Sequence, residues 1–407
     1  MAVGAGITDS LLPISGVSIG VACAGIKKKD HRDLVIFQLA PGSTIGAVFT
    51  QNAFCAAPVQ VAKKHLASGQ ETRFLVVNTG NANAGTGQQG IEDAQETCSR
   101  LAGKRSVNPE QVLPFSTGVI GEYLPMASLI AGIPDALATL NSDNWTEAST
   151  GILTTDTREK GASRQFEFED ETITVTGIAK GSGMIKPNMA TMLSFVATDA
   201  PISQPLLQKI TAIASEQSFN RITVDSDTST NDASVCVATG QVPVSPVESE
   251  DNPLYKYLLK TVSEVMLSLA QQIIRDGEGA HKFISVQVNS SDTPDNALKV
   301  AYAVAESPLF KTAMSASDAN WGRILMAVGK SGIEGLDVDA IDVFLGDVQI
   351  VSQGQRCPEY TETAGAAAVA PDEITVRIEL NRGHETETVW TTDLSYDYIK
   401  INAEYRS

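Results

Sequence analysis

The residue around which chemistry can be arranged in this chain is Thr191. It sits in AKGSGMIKPNMATMLSF, residues 179–195, where Lys180 is set among small residues and Gly181, Ser182 and Gly183 follow. A Pro187-Asn188 turn signal comes next, and Ala190-Thr191 opens an apolar run. Such a segment can place a backbone bend beside a buried hydroxyl. A threonine hydroxyl is a poor nucleophile until a base takes its proton, and one efficient base is the residue's own α-amine. That amine exists only after the Ala190-Thr191 peptide bond is cut, so we read the junction as a site of self-cleavage. The plainer reading is a loop entering a strand, which a Gly/Ser/Pro stretch before an apolar run also describes.

Acyl chemistry also needs donors aimed at a developing oxyanion. Thr117-Gly118, in VLPFSTGVIGEYLP at 112–125, can supply a hydroxyl and a backbone N–H, although a Ser-Thr-Gly turn is common in any protein. NTGNANAGTG at 78–87 lies between a strand and a helix, where backbone N–H groups can converge on an anion. It lacks the Gly-Lys-Ser/Thr ending and the dinucleotide spacing, so a structural loop shaped by small residues is the better reading. In VDSDTSTND at 224–232, Asp225, Asp227 and Asp232 invite a calcium reading, but the spacing departs from the EF-hand loop. Capping and loop hydrogen bonds account for these side chains without a metal. Read alone, Lys180 is a solvated charge, Thr154 in TTDT a turn or cap residue, and Glu278 a loop charge between Gly277 and Gly279.

The elements that must position these groups are strands alternating with helices. The spacing predicts strands over 74–80, 166–179, 192–198 and 283–288, and helices over 57–67, 88–102, 126–140, 201–218 and 254–275. Residues 141–150 read as a polar connection, 308–312 as the approach to a loop, and 394–401 as an alternating, anchored strand. An α/β or α+β class with layered sheets and helices is expected. A chain of 407 residues has room for more than one domain.

Composition narrows the function. The net charge of -18 leaves no basic excess to meet phosphates, which argues against nonspecific nucleic-acid binding. The 5 cysteines and 4 histidines are scattered without ligand spacing, so neither a metal nor a disulfide framework is expected. No apolar run approaches the ~20 residues of a membrane helix, and the start lacks the pattern of a signal peptide. A cytoplasmic enzyme is the expectation.

KGSGMIKPNMATML resembles the processing segment of the ornithine acetyltransferases, also called glutamate N-acetyltransferases, of arginine biosynthesis. Further blocks agree in order: NTGNANAGTG, STGVIGE at 116–122, TTDT at 154–157, VDSDTSTND, RDGEGA at 275–280 and INAEYRS at 401–407. The resemblance implies a fold like that of the autoprocessed, N-terminal-nucleophile aminopeptidases. It implies cleavage into an α fragment, 1–190, and a β fragment, 191–407, the latter holding a core domain, 191–280, and a C-terminal domain, 281–407. It further implies that the Thr191 hydroxyl takes acetyl from N2-acetylornithine and passes it to glutamate, with Thr117 and Gly118 as oxyanion donors. Thr154, Lys180, Glu278, Asn402 and Ser407 would bind substrate, Thr155 less directly than Thr154. No cofactor is implied, though acetyl-CoA is a possible second donor, and two αβ pairs would form a heterotetramer. Two departures stand out: Ser226 where the family usually has glycine, and His281 where threonine is usual, which leaves the direction of Lys282 open. The alternatives are an autoprocessed amidase or aminopeptidase that ends with water, and a nonenzymatic amino-acid-binding regulator.

Overall fold

In a computed structural model, residues 2–6, 10–27, 30–186 and 192–404 are described. Three sheets organise the chain. The first has 4 strands in the order Val17–Ala22, Leu34–Leu39, Phe74–Asn81, Val112–Val119. Its last two strands run parallel, joined by a crossover through the helix Gly87–Arg105. The second has 5 strands in the order Thr44–Phe49, Ala233–Ala238, Leu193–Thr198, Glu171–Lys180, Lys160–Phe168.

Alternation along the strands explains how these two sheets stack. Leu34, Ile36, Phe74 and Val76 face the helices Ala57–Ala67, Gly87–Arg105 and Met126–Ala138. Their neighbours Val35, Phe37, Leu75 and Val77 face the other way and pack on Phe195, Ala197, Val235 and Val237 of the second sheet. The Phe195 ring lies 5.1 Å from that of Phe37 and 5.2 Å from that of Phe115, tying the layers together. The second sheet's outer face, with Val175, Val196 and Cys236, is covered by the helices Gln204–Glu216 and Pro253–Arg275. The order of layers is helix, sheet, sheet, helix, and the central strands Leu193–Thr198 and Ala233–Ala238 are buried along their whole length, as their near-continuous apolar sequences require.

The third sheet, of 7 strands, is built almost wholly from the C-terminal part of the chain, with Ile222–Thr223 added at one edge. Its core packs on the helices Pro294–Ala305, Pro308–Ser315, Trp321–Gly329 and Glu362–Val369.

Several expected elements differ. The polar connection at 141–150 contains the helix Trp145–Gly151, because Trp145 and Ala148 are buried against the first sheet and turn a polar stretch into a one-sided helix. The approach to a loop at 308–312 is the start of the helix Pro308–Ser315, whose N-cap Ser307 accepts the Phe310 N–H. Residues 394–401 are not a strand; the chain forms the helix Tyr396–Ala403, capped by Ser395, which accepts the N–H groups of Asp397 and Tyr398. A Ser cap with one acidic residue, Asp397, in the first turn outweighs the period-two pattern here. Of its two tyrosines Tyr396 is 91% exposed, whereas the Tyr398 hydroxyl donates to Asp225 Oδ2 at 3.2 Å and ties the helix down.

Candidate active site

Strand ends from two sheets and the loops beyond them enclose a cavity of about 160 Å³. Thr117 and Gly118 reach it from the strand Val112–Val119, Lys180 from the end of Glu171–Lys180, and Thr154 from the loop before Lys160–Phe168. Glu278 enters from the turn after the long helix, and Asn402 from the last helix. Ala190, Thr191, Ser407 and the Pro187-Asn188 turn lie outside the described residues. Met192, which one peptide bond joins to Thr191, is in the cavity wall.

Gly118 has φ +135°, and a Cβ there would come within 2.3 Å of the Gly80 carbonyl carbon. The parallel ladder slips at this point, with Asn81 facing both Thr117 and Val119. Such a bulge re-aims backbone groups at a strand end, and only glycine fits it. Thr117 Oγ1 accepts a hydrogen bond from Lys180 Nζ at 3.0 Å. With that lone pair occupied, the hydroxyl proton is free to be donated to an oxyanion. Burial pushes the Lys180 pKa down, while the carboxylates of Asp156, Asp232 and Glu278 resist the shift and Lys160 adds to it.

Beneath Lys180 lies a buried charge cluster that sequence reasoning passed over. Lys160 Nζ, fully buried, donates to Asp156 Oδ1 and Asp276 Oδ2, each at 2.6 Å. Asp156 also accepts the Gly181 N–H at 2.7 Å and the Thr154 N–H at 3.1 Å. Asp276, two residues before Glu278 in sequence, accepts hydrogen bonds from the Thr157 N–H at 3.0 Å and from the Thr157 hydroxyl. One ammonium thus ties together the elements that carry Thr154, Lys180 and Glu278. Burial opposes ionisation of Asp156, but the Lys160 and Lys180 charges and the hydrogen bonds from Lys160 and Gly181 hold its pKa well below the ordinary range. Because the folded-state pKa is depressed, this contribution is complete above the unfolded carboxylate pKa and is lost as pH falls through the folded value. Lys160→Met would strand two buried carboxylates. We expect it to destabilise the fold by about 3–5 kcal/mol, read as a lower urea midpoint with unchanged slope.

The end of the acidic loop, Ser229 to Asp232, lines the cavity, and its earlier residues hold the segments around it. Asp225 accepts the N–H groups of Met184 and Ile185 at 2.7 and 2.8 Å, fixing the segment after Gly183. Ser226 has φ +68°, so the position usually held by glycine does require the left-handed region. Asn231 Nδ2 donates to the carbonyls of Ala82 and Ser116 at 2.5 and 2.9 Å, clamping the strand ends that present Thr117. Asp232 is 3% exposed and lines the cavity. Sequence reasoning gave Asn231 and Asp232 no role in a site. The signal available was polar density between two strands; where that density points depends on the parallel pairing of Leu193–Thr198 with Ala233–Ala238. Among the described residues no cluster of His, Cys, Asp and Glu could hold a metal ion.

Glu278 Oε2 accepts a hydrogen bond from Asn402 Nδ2 at 2.9 Å. A Cβ on Gly183 would fall 2.3 Å from the same oxygen, so glycine there admits the carboxylate. The Ser395 hydroxyl donates to the Gly279 carbonyl at 2.6 Å, pinning the last helix to the turn that carries Glu278. Thr155 Oγ1 and Ser182 Oγ pair at 2.9 Å, so this hydroxyl has a protein partner. Lys282 Nζ donates to the carbonyls of Val369, Ala370 and Pro371 at 3.2, 2.8 and 2.9 Å, capping the end of Glu362–Val369. His281 holds its neighbours through Asp393 and Asp397 and is not in the cavity wall.

These layers and this cavity define an α/β protein whose strand-end site gathers residues from both halves of the sequence. The ArgJ family model matches residues 18–407, and the chain belongs to the ArgJ family. It is 52% identical over 407 residues to the arginine biosynthesis bifunctional protein ArgJ of Pseudomonas fluorescens (strain Pf0-1), covering 100% of both chains. It is 53% identical, at the same coverage, to the protein of that name from Pseudomonas syringae pv. tomato. The crystal structure of the arginine biosynthesis bifunctional protein ArgJ from Bacillus halodurans matches with a TM-score of 0.50 and 39% identity, over 52% of this chain and 99% of that chain.

Proposed function

We propose that this chain is an acetyltransferase that moves acetyl from N2-acetylornithine to glutamate after cutting itself between Ala190 and Thr191. The observation that carries the reading is the convergence of Thr117, Gly118, Thr154, Lys180, Glu278 and Asn402 on one cavity, with the residue after Thr191 in its wall. The Thr191 hydroxyl attacks the carbonyl of Ala190, the N-to-O acyl shift that follows breaks the peptide C–N bond and frees the α-amine, and hydrolysis of the resulting ester releases the Ala190 carboxylate and restores the hydroxyl. With a reference pKa near 7.7–8.0, that amine has a useful neutral fraction near pH 7. It then takes the hydroxyl proton as Oγ attacks the acetyl carbonyl. Ornithine leaves, and glutamate attacks the acetyl-enzyme.

Roles follow from chemistry. Thr117 and Gly118 donate to the oxyanion, and Lys180 pairs with the α-carboxylate that both amino acids share. Thr154 and Asn402 hold polar groups of the substrate, Glu278 meets the amino end of ornithine, and Ser407 completes the pocket. The cut would not release either fragment, because Leu193–Thr198 lies between Glu171–Lys180 and Ala233–Ala238 in one sheet. The match to 99% of a relative's chain but 52% of this one fits a family polypeptide divided near its middle. On this reading residues 191–280 form a core domain, 281–407 a C-terminal domain, and two fragment pairs associate as a heterotetramer in the cytoplasm. No cofactor is required, and acetyl-CoA serves at most as a second donor. No described helix is long and apolar enough to cross a membrane.

Labelled acetylornithine tests the reading. Transfer of label to glutamate as the dominant product is expected, with ping-pong kinetics. Free acetate as the dominant product would instead identify an autoprocessed amidase, and binding of ornithine without turnover a regulator. Repeating the assay with acetyl-CoA defines the donor range.

A further inference from the structure

Asp232 has no role in the chemistry derived so far, yet its surroundings are unusual. It is buried in the cavity wall, and its Oδ2 has no hydrogen-bond partner among the described residues. Ser229, in the same loop, bonds the carboxyl group. A buried acceptor left open normally costs free energy of about 1–3 kcal/mol, so its retention calls for a donor that arrives with a ligand. The strand Leu193–Thr198 starts between two neighbours: Lys180 pairs with Leu193 on one side, and Ala233, next to Asp232, pairs with Leu193 on the other. Asp232 and the Lys180–Thr117 pair therefore face one small space.

An amino acid whose α-carboxylate meets Lys180 and whose acetyl oxygen meets Thr117 carries its α-nitrogen between those two groups. That nitrogen is the atom that is acetylated or released. We propose that Asp232 is the general base and acid for the substrate's α-nitrogen, taking a proton from the incoming glutamate ammonium and returning one to departing ornithine. This rests on the acetyl-exchange reading above. It gives a task to a second proton that the Thr191 α-amine does not handle.

One ammonium proton passes to Asp232 Oδ2, and the freed lone pair attacks the acetyl carbonyl carbon of the threonine ester. The C–Oγ bond breaks as a second nitrogen proton passes through the Thr191 α-amine to Oγ, and the third stays on the amide of N-acetylglutamate. In the opposite half-reaction Asp232 protonates the ornithine nitrogen. Burial raises the Asp232 pKa well above the usual carboxylate range, against the hydrogen bonds from Ser229 and the Lys180 charge, which brings its proton affinity closer to that of the ammonium it faces.

The test separates the two amines that can discharge an acetyl-enzyme. p-Nitrophenyl acetate loads the enzyme without needing a proton on its leaving group. Glutamate then requires a base, whereas hydroxylamine, largely neutral at pH 7, does not. In Asp232→Asn, discharge to glutamate is expected to slow by ~10²–10⁴-fold, with loading and discharge to hydroxylamine near those of the unsubstituted enzyme. Equal rates with glutamate, or equal slowing with both nucleophiles, would overturn the proposal. If Asp232→Asn yields no cleaved protein, Asp232→Glu, which displaces the carboxyl by one methylene, is held to the same criterion. Failure of the unsubstituted acetyl-enzyme to discharge to glutamate would sink the acetyl-exchange reading itself, and is told apart by that control.

Discussion

Thr191→Ala is expected to remain a single uncut chain and to lose acetyl exchange by a factor on the order of 10⁶, the scale of deleting the nucleophile from a covalent hydrolase. The expected loss is double because, in the proposed mechanism, one side chain serves both steps: its hydroxyl opens the peptide bond and later carries the acetyl group. Alanine removes the hydroxyl, so the α-amine is never exposed either. Thr191→Ser, which keeps a hydroxyl, should still cut itself and retain measurable exchange. The two variants together separate the need for a nucleophile from the need for this particular side chain. Fragment pattern on a denaturing gel and initial rates with acetylornithine and glutamate are the readouts.

Thr117→Val is the second large effect. Valine nearly matches threonine in shape, and position 117 is only 7% exposed, so the buried strand end should keep its packing. What goes is the hydroxyl proposed to donate to the oxyanion, which is also the acceptor for Lys180 Nζ. Loss of one such donor lowers kcat by ~10²–10³-fold, about 2.7–4 kcal/mol. The change should fall mainly on kcat, because the oxyanion forms only in the transition state. A KM rise of similar size with kcat unchanged would place Thr117 among the ground-state contacts instead. Thr117→Ser, which restores the hydroxyl, should recover most of the rate.

A small part of this cavity was legible from the chemistry of its residues, and the larger part only from the resemblance. Thr117-Gly118, a hydroxyl beside a glycine N–H, was readable from its chemistry, whereas Lys180 at a strand end and Glu278 in a turn read alone as ordinary charges and were singled out by the resemblance. Helices with a clean apolar stripe were equally readable, the span Pro253–Arg275 among them. Illegible were contacts whose partners are remote in sequence. Lys160 meets Asp276 across 116 positions, and Asn231 reaches Ser116 across 115. No local period encodes such pairs; they exist only once the sheets have stacked. The last helix was misread because an alternating apolar pattern in eight residues fits a strand as well as a helix, and the deciding interactions belong to Ser395.

Most direct is the intact mass of an active preparation under denaturing conditions. Two polypeptides, one ending at Ala190 and one beginning at Thr191, are expected, with the acetyl group found on the second after brief exposure to acetylornithine. A single 43.1 kDa chain that turns over substrate at full rate would contradict the account.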